Sequence, residues 1–137
     1  MNNLEEFIFW FENLKESDVK NLDKFYTNDV FFKDPFNEFM SIKKLTKIFA
    51  HMFEELTNPR FVIIDSIQQN DQSFLTWDFI FSKAGREIKI HGSTHLKWVN
   101  EKVKYHRDYW DVGEEVLQKI PIIKYIYKLT TTRLRVD

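Results

Sequence analysis

The sequence predicts an α+β fold in which helices come first and a meandering antiparallel sheet packs against them. Two observations carry this. Apolar residues recur mainly at helical spacing up to Leu56, and the period changes to two from Phe61 onward. The breaks between the later strand-like runs are very short, and breaks of that length join only antiparallel neighbours. A chain of 137 residues fits one domain over 1–137, with 112–137 as a C-terminal helical extension.

The elements follow in order. Leu4, Phe7, Ile8, Phe11 and Leu14 lie on one face of an amphipathic helix. Ser17-Asp18 reads as a cap, and Val19, Leu22, Phe25 and Tyr26 suggest a second short helix that ends at a Thr27-Asn28-Asp29 turn. A strand is expected at Val30 to Lys33, interrupted by Asp34-Pro35 because proline donates no ladder hydrogen bond. From Ser41, a plausible cap, Ile42, Leu45, Ile48, Phe49, Met52, Phe53 and Leu56 mark a third helix, with Asn58-Pro59 as its stop. Strands are then expected at Phe61 to Gln69, Phe74 to Ser82, Glu87 to Val99 and Val103 to Asp111, with turns at Asn70-Asp71, Ala84-Gly85 and Asn100-Glu101. The last segment, Val112 to Arg135, reads as two helical pieces joined at Pro121.

Composition narrows the function classes. The net charge of -1 gives no field that favours a polyanion, so nucleic acid is not an expected partner. The absence of Cys excludes disulfides, thiol nucleophiles and thiolate metal sites, and fits a reducing compartment. Met1 to Leu14 lacks a basic leader and no apolar run is long enough to span a bilayer, so a cytoplasmic protein is expected. Fourteen Phe, five Tyr and four Trp supply flat, bulky side chains that either fill a core or line a cavity.

Few residues are candidates for chemistry. Alternation along the last strand puts His106, Asp108 and Trp110 on one face and Tyr105, Arg107, Tyr109 and Asp111 on the other. An aspartate beside an imidazole can orient it, or the two make ordinary hydrogen bonds at the rim of the core. Asp34 sits among Phe31, Phe32 and Phe36, where partial burial raises a carboxyl pKa and makes a usable general base. The alternative is that Asp34 starts a turn or caps a backbone amide. No HExxH pair, glycine-rich phosphate loop or nucleophile elbow occurs, so neither a metal nor a cofactor is implied.

The run Leu22-Asp23-Lys24-Phe25-Tyr26-Thr27-Asn28-Asp29-Val30-Phe31-Phe32-Lys33-Asp34-Pro35 resembles the second helix and first strand of the nuclear transport factor 2-like superfamily. Arg107-Asp108-Tyr109-Trp110-Asp111 resembles the end of the final hairpin of its SnoaL-like members. The resemblance implies a cone-shaped, curved sheet wrapped around the N-terminal helices, and a homodimer through that sheet. It matches Asp34 to the proton-shuttling aspartate of ketosteroid isomerases, and places Trp10 and Thr94 where that family has its oxyanion donors. Loss of one such donor costs about 10²–10³ in rate, so the two replacements argue against steroid isomerisation. His106 and Asp108 correspond to the acid/base pair of SnoaL-type cyclases. The Asp-Arg-Asp arrangement of epoxide hydrolases is not matched, because Arg107 lies on the outward face.

Two classes of function follow. One is a binding module that holds a small apolar or aromatic ligand among Trp10, Phe49, Phe53, Trp77, Thr94 and Trp110. The other is a cofactor-independent isomerase, cyclase or hydratase that uses Asp34 as general base with His106 or Asp108. The lysine-bearing tail offers a membrane contact as one reading and a lid over the pocket as the other.

Overall fold

The computed structural model describes residues 2–113. Helix α1 (Asn3–Glu12) starts at a capping box: Asn2 accepts from the Glu5 amide at 2.8 Å, and Glu5 accepts from the Asn2 amide at 3.3 Å. It buries Leu4, Phe7 and Phe11, and each fully buried side chain of this kind contributes roughly 1.5–3 kcal/mol. A 3₁₀ helix (Glu16–Lys24) follows, burying Val19 and Leu22. Its entry is fixed by Asp18 rather than Ser17, since Asp18 Oδ2 accepts from the Lys15 amide at 2.9 Å.

The second helix is shorter than its apolar pattern suggests. Tyr26 belongs to strand β1 (Tyr26–Lys33), and Thr27-Asn28-Asp29 is a bulged part of that strand, not a turn. The cause is tertiary: Val103 donates its amide to the Phe25 carbonyl at 2.8 Å, which pulls the chain into the sheet before the helix can continue.

A tight turn at Asp34 leads to the short strand β2 (Glu38–Met40), which sequence periodicity does not reveal. Helix α2 (Ile42–Glu55) begins where Ser41 Oγ accepts from the Lys44 amide, and buries Leu45, Phe49 and Met52. It stops at Leu56. Asn58-Pro59 lies beyond that stop, inside strand β3 (Thr57–Gln69), where the register shifts and Asn58 takes a φ of 51°.

Strands β4 (Gln72–Lys83), β5 (Arg86–Val99) and β6 (Lys102–Tyr109) complete one six-stranded curled sheet, ordered β2-β1-β6-β5-β4-β3. The hairpins pair Gln69 with Gln72, Lys83 with Arg86 and Val99 with Lys102, so each turn has two residues. Ala84-Gly85 and Asn100-Glu101 have positive φ at both positions, as a type I′ turn requires. The sheet is antiparallel except between β1 and β6, which run parallel with Phe32 opposite His106. That pairing needs the whole length of the chain between them and has no local signature.

The core lies between the inner sheet face and the helices, with α1 against β3 and α2 against β1 and β3. No described helix is long and apolar enough to cross a membrane. The proposed helical extension falls, beyond Gly113, outside the described residues.

Candidate functional site

The inner face of the sheet and the facing side of α2 enclose an aromatic pocket of about 110 Å³. Phe32, Phe61, Trp77, Phe81 and Ile90 project from the strands, and Ile48, Phe49 and Met52 from α2. Its lining contains three polar residues: Asp34, Asn37 and Asp108. Trp110 and Phe36 also contribute, with ring centroids 5.6 Å apart.

Asp34 is held by the turn it makes. Its Oδ1 accepts from the amides of Phe36 at 2.8 Å and Asn37 at 2.6 Å, and from the Asn37 side chain at 3.3 Å. Burial raises its pKa above the ordinary carboxylate value and the nearby Asp108 charge raises it further, which outweighs the lowering by those hydrogen bonds. Asp34 therefore caps backbone amides and at the same time lines the pocket.

Asp108 ends a chain of side-chain hydrogen bonds. Trp77 Nε1 donates to Thr94 Oγ1 at 2.7 Å, and Thr94 Oγ1 donates to Asp108 Oδ1 at 2.6 Å. From the other side, His106 Nε2 lies 2.8 Å from the same Oδ1, and Tyr26 Oη lies 3.0 Å from His106 Nδ1. Burial, and secondly the Asp108 charge, push the Tyr26 phenol well above its usual range.

The sequence-derived candidates divide accordingly. Asp34, Asp108, Phe49, Trp77 and Trp110 line one pocket. His106 and Thr94, each 1% exposed, stand behind Asp108 and reach the pocket through it. Trp10 lies elsewhere, stacked on Phe25 at 4.5 Å in a groove between α1 and the 3₁₀ helix. The resemblance gives Trp10 a position along α1 but not the face of the helix that it occupies. Phe53 lies on α2 off the lining, packed against the core. Arg107 turns outward and sits 4.5 Å over the Tyr109 ring. Tyr26 and Asn37 are additions: Tyr26 depends on His106, a partner placed by the fold, whereas Asn37 belongs to the Asp34 turn itself, whose Asp34-Pro35 pair is the local signal for it. Among the described residues no His, Asp and Glu cluster is arranged to hold a metal ion.

Residues 9–106 match the SnoaL-like domain family. The chain belongs to this family. No curated protein matches it significantly. Among solved structures, the SnoaL-like domain is similar to a nuclear transport factor 2-like protein from Burkholderia pseudomallei, with a TM-score of 0.73, 13% identity, and 85% of this chain and 96% of that chain covered. A protein of ketosteroid isomerase-like fold from Catenulispora acidiphila, solved with trimethylamine, gives 0.69 at 13% identity over 80% and 87%. An LEH-like epoxide hydrolase from M. tuberculosis gives 0.70 at 12% identity over 98% and 92%. Identities this low establish the fold of the SnoaL-like domain and leave its chemistry to its own residues.

Proposed function

We propose that this SnoaL-like domain binds a small apolar or aromatic molecule in the pocket and moves a proton on it, with Asp34 and Asp108 as the acid/base pair. The observation that carries this reading is that both carboxyl groups line one aromatic pocket, with the charge of Asp108 raising the pKa of Asp34. Two carboxylates in one low-dielectric space do not both ionise cheaply, so the pair tends to hold one proton between them. A pair in that state can accept from one atom of a ligand and donate to another. His106 acts through Asp108 and not on the ligand. The pocket of about 110 Å³ is smaller than the roughly 150 Å³ engineered cavity that takes up benzene, so steroids and polyketides require side chains to move aside.

The test is a thermal-shift screen of small cyclic ketones, phenols and terpenoids, followed by turnover of the stabilising compounds. Asp34→Asn and Asp108→Asn are expected to keep binding and to lose turnover, by about 10²–10⁴ for a lost acid or base. Unchanged turnover in both variants rejects the roles.

A second reading is favoured by one feature of the lining. It holds aromatic faces, two acids and an amide, with no Lys, Arg or His, which is the composition that attracts a small organic cation. The trimethylamine in the Catenulispora acidiphila neighbour supports the same reading. Tetramethylammonium and tert-butanol have similar size and differ in charge. Stabilisation by the cation alone, lost in Asp108→Asn, selects this reading; stabilisation by the alcohol alone selects the first.

A further inference from the structure

The hydrogen-bond chain behind Asp108 has a direction that its end groups determine. The Trp77 indole nitrogen can only donate, so Thr94 Oγ1 must accept from it. The Thr94 proton is then left for Asp108 Oδ1. At the other end the Tyr26 phenol is fully buried, and His106 Nδ1 is the partner within reach of its hydroxyl. A buried hydroxyl that does not donate is left with an unsatisfied hydrogen, so the phenol donates to Nδ1. That nitrogen carries the lone pair and Nε2 carries the proton, which goes to Asp108 Oδ1.

Both arms therefore deliver a hydrogen to one oxygen. An oxygen that accepts two donors has no room for a proton of its own, and the arrangement stabilises the anion. Asp34 is in the opposite situation, since burial and the neighbouring charge favour its neutral form. The His106 ring is held in this orientation by Tyr26 and Asp108 at its two nitrogens and by the rings of Phe11 and Phe32 packed against it.

We propose that Tyr26 and Trp77, acting through His106 and Thr94, are positioning residues that hold Asp108 as the base of the pair and leave the resting proton on Asp34. This reverses the role that the resemblance implies for Asp34, and it rests on the reading of the two carboxyls as an acid/base pair. In a turnover, the ligand's bond to hydrogen breaks as an O–H bond forms on Asp108 Oδ2, while the Asp34 O–H breaks and its proton goes to a heteroatom of the ligand. The enzyme ends with the proton exchanged between its two carboxyls, and water restores the starting state.

The experiment is nuclear magnetic resonance of the protein labelled with ¹⁵N-histidine and ¹³C-aspartate. The expected result is a His106 imidazole in the single Nε2–H tautomer and, at the pH where Asp34 is half titrated, a carboxylate signal from Asp108. Tyr26→Phe, a near-isosteric change, is expected to replace the single tautomer by a mixture. Thr94→Val is expected to move the Asp108 signal toward the acid form and to lower the Asp34 midpoint. An Nδ1–H tautomer, or an Asp108 that is protonated while Asp34 is ionised, overturns the inference. A merely structural role for Tyr26 would leave the tautomer unchanged in Tyr26→Phe, which also overturns it. These signals are read without ligand, so a protein that shows them and yet turns nothing over sinks the proposed function and leaves this inference standing.

Discussion

Asp34 is held in place by amides from its own turn, so its carboxyl oxygen serves the backbone whether or not it is charged. This allows the cost of the charge to be tested by itself. Asp34→Asn keeps an acceptor oxygen for Phe36 and Asn37 and removes the ionisation. Because burial and Asp108 raise the folded pKa above the unperturbed value of 3.8, the fold takes up a proton there, and stability falls as pH rises from the unfolded value through the folded one. Asp34→Asn is therefore expected to melt at a higher temperature than the native chain at pH 7, with the gap closing as pH drops toward 3.8. A gap of constant size across that range contradicts the burial argument. At this scale the sequence was informative for a reason. Proline after Asp34 and Phe on both sides dictate a turn in an apolar setting, which gives one residue both of its roles. Tyr26 carried no such sign, because its value depends on His106, eighty positions away along the chain.

Elements were legible wherever local rules decide them and less so wherever pairing does. Ser41 is a cap whatever the fold, and the two-residue hairpin turns are set by their own backbone conformations. Strand β1 instead starts at Tyr26 because β6 captures it, and its parallel pairing cannot be read from either strand alone. Strand β5 shows a requirement of the same non-local kind. Gly92 lies opposite Trp77, and a Cβ at that position would sit 2.5 Å from the Trp77 Cη2 atom and within 2.9 Å of two further ring carbons. The indole is rigid, buried, and fixed by its bond to Thr94, so it has little freedom to yield. Gly92→Ala is expected to cost about 1–3 kcal/mol, the range for an overpacked core, and to displace the Trp77 ring. Urea unfolding at unchanged slope, together with tryptophan fluorescence, measures both effects. A substitution with neither effect would mean that the ring is looser than its contacts indicate.

On the outer face of the sheet, aromatic and apolar residues from all six strands form one diagonal stripe. Met40 pairs with Phe31, which stacks on Tyr105 at 5.0 Å; Tyr105 meets His95 edge-on at 5.3 Å; His95 stacks on Phe74 at 4.3 Å; and Phe74 lies opposite Ile67. Ile67 is 66% exposed and Phe74 46%, so the stripe is open at this end. An apolar band of this kind, rimmed by Lys97, Arg107 and Gln72, has the character of a protein interface. A homodimer formed through the sheet would cover it with an identical band related by a two-fold axis, placing the same residues on both sides of the contact. Phe74→Glu then puts a carboxylate from each subunit into that contact while leaving the pocket, on the opposite face, untouched. The expected outcome in sedimentation equilibrium is a dimer for the native chain and a monomer for Phe74→Glu, with ligand stabilisation of the pocket retained. The burial of His95 and the charges of Lys97 and Arg107 lower its pKa, so it enters such a contact neutral at pH 7 and adds no repulsion. A native chain that sediments as a monomer at tens of micromolar would show that the stripe serves some contact other than self-association.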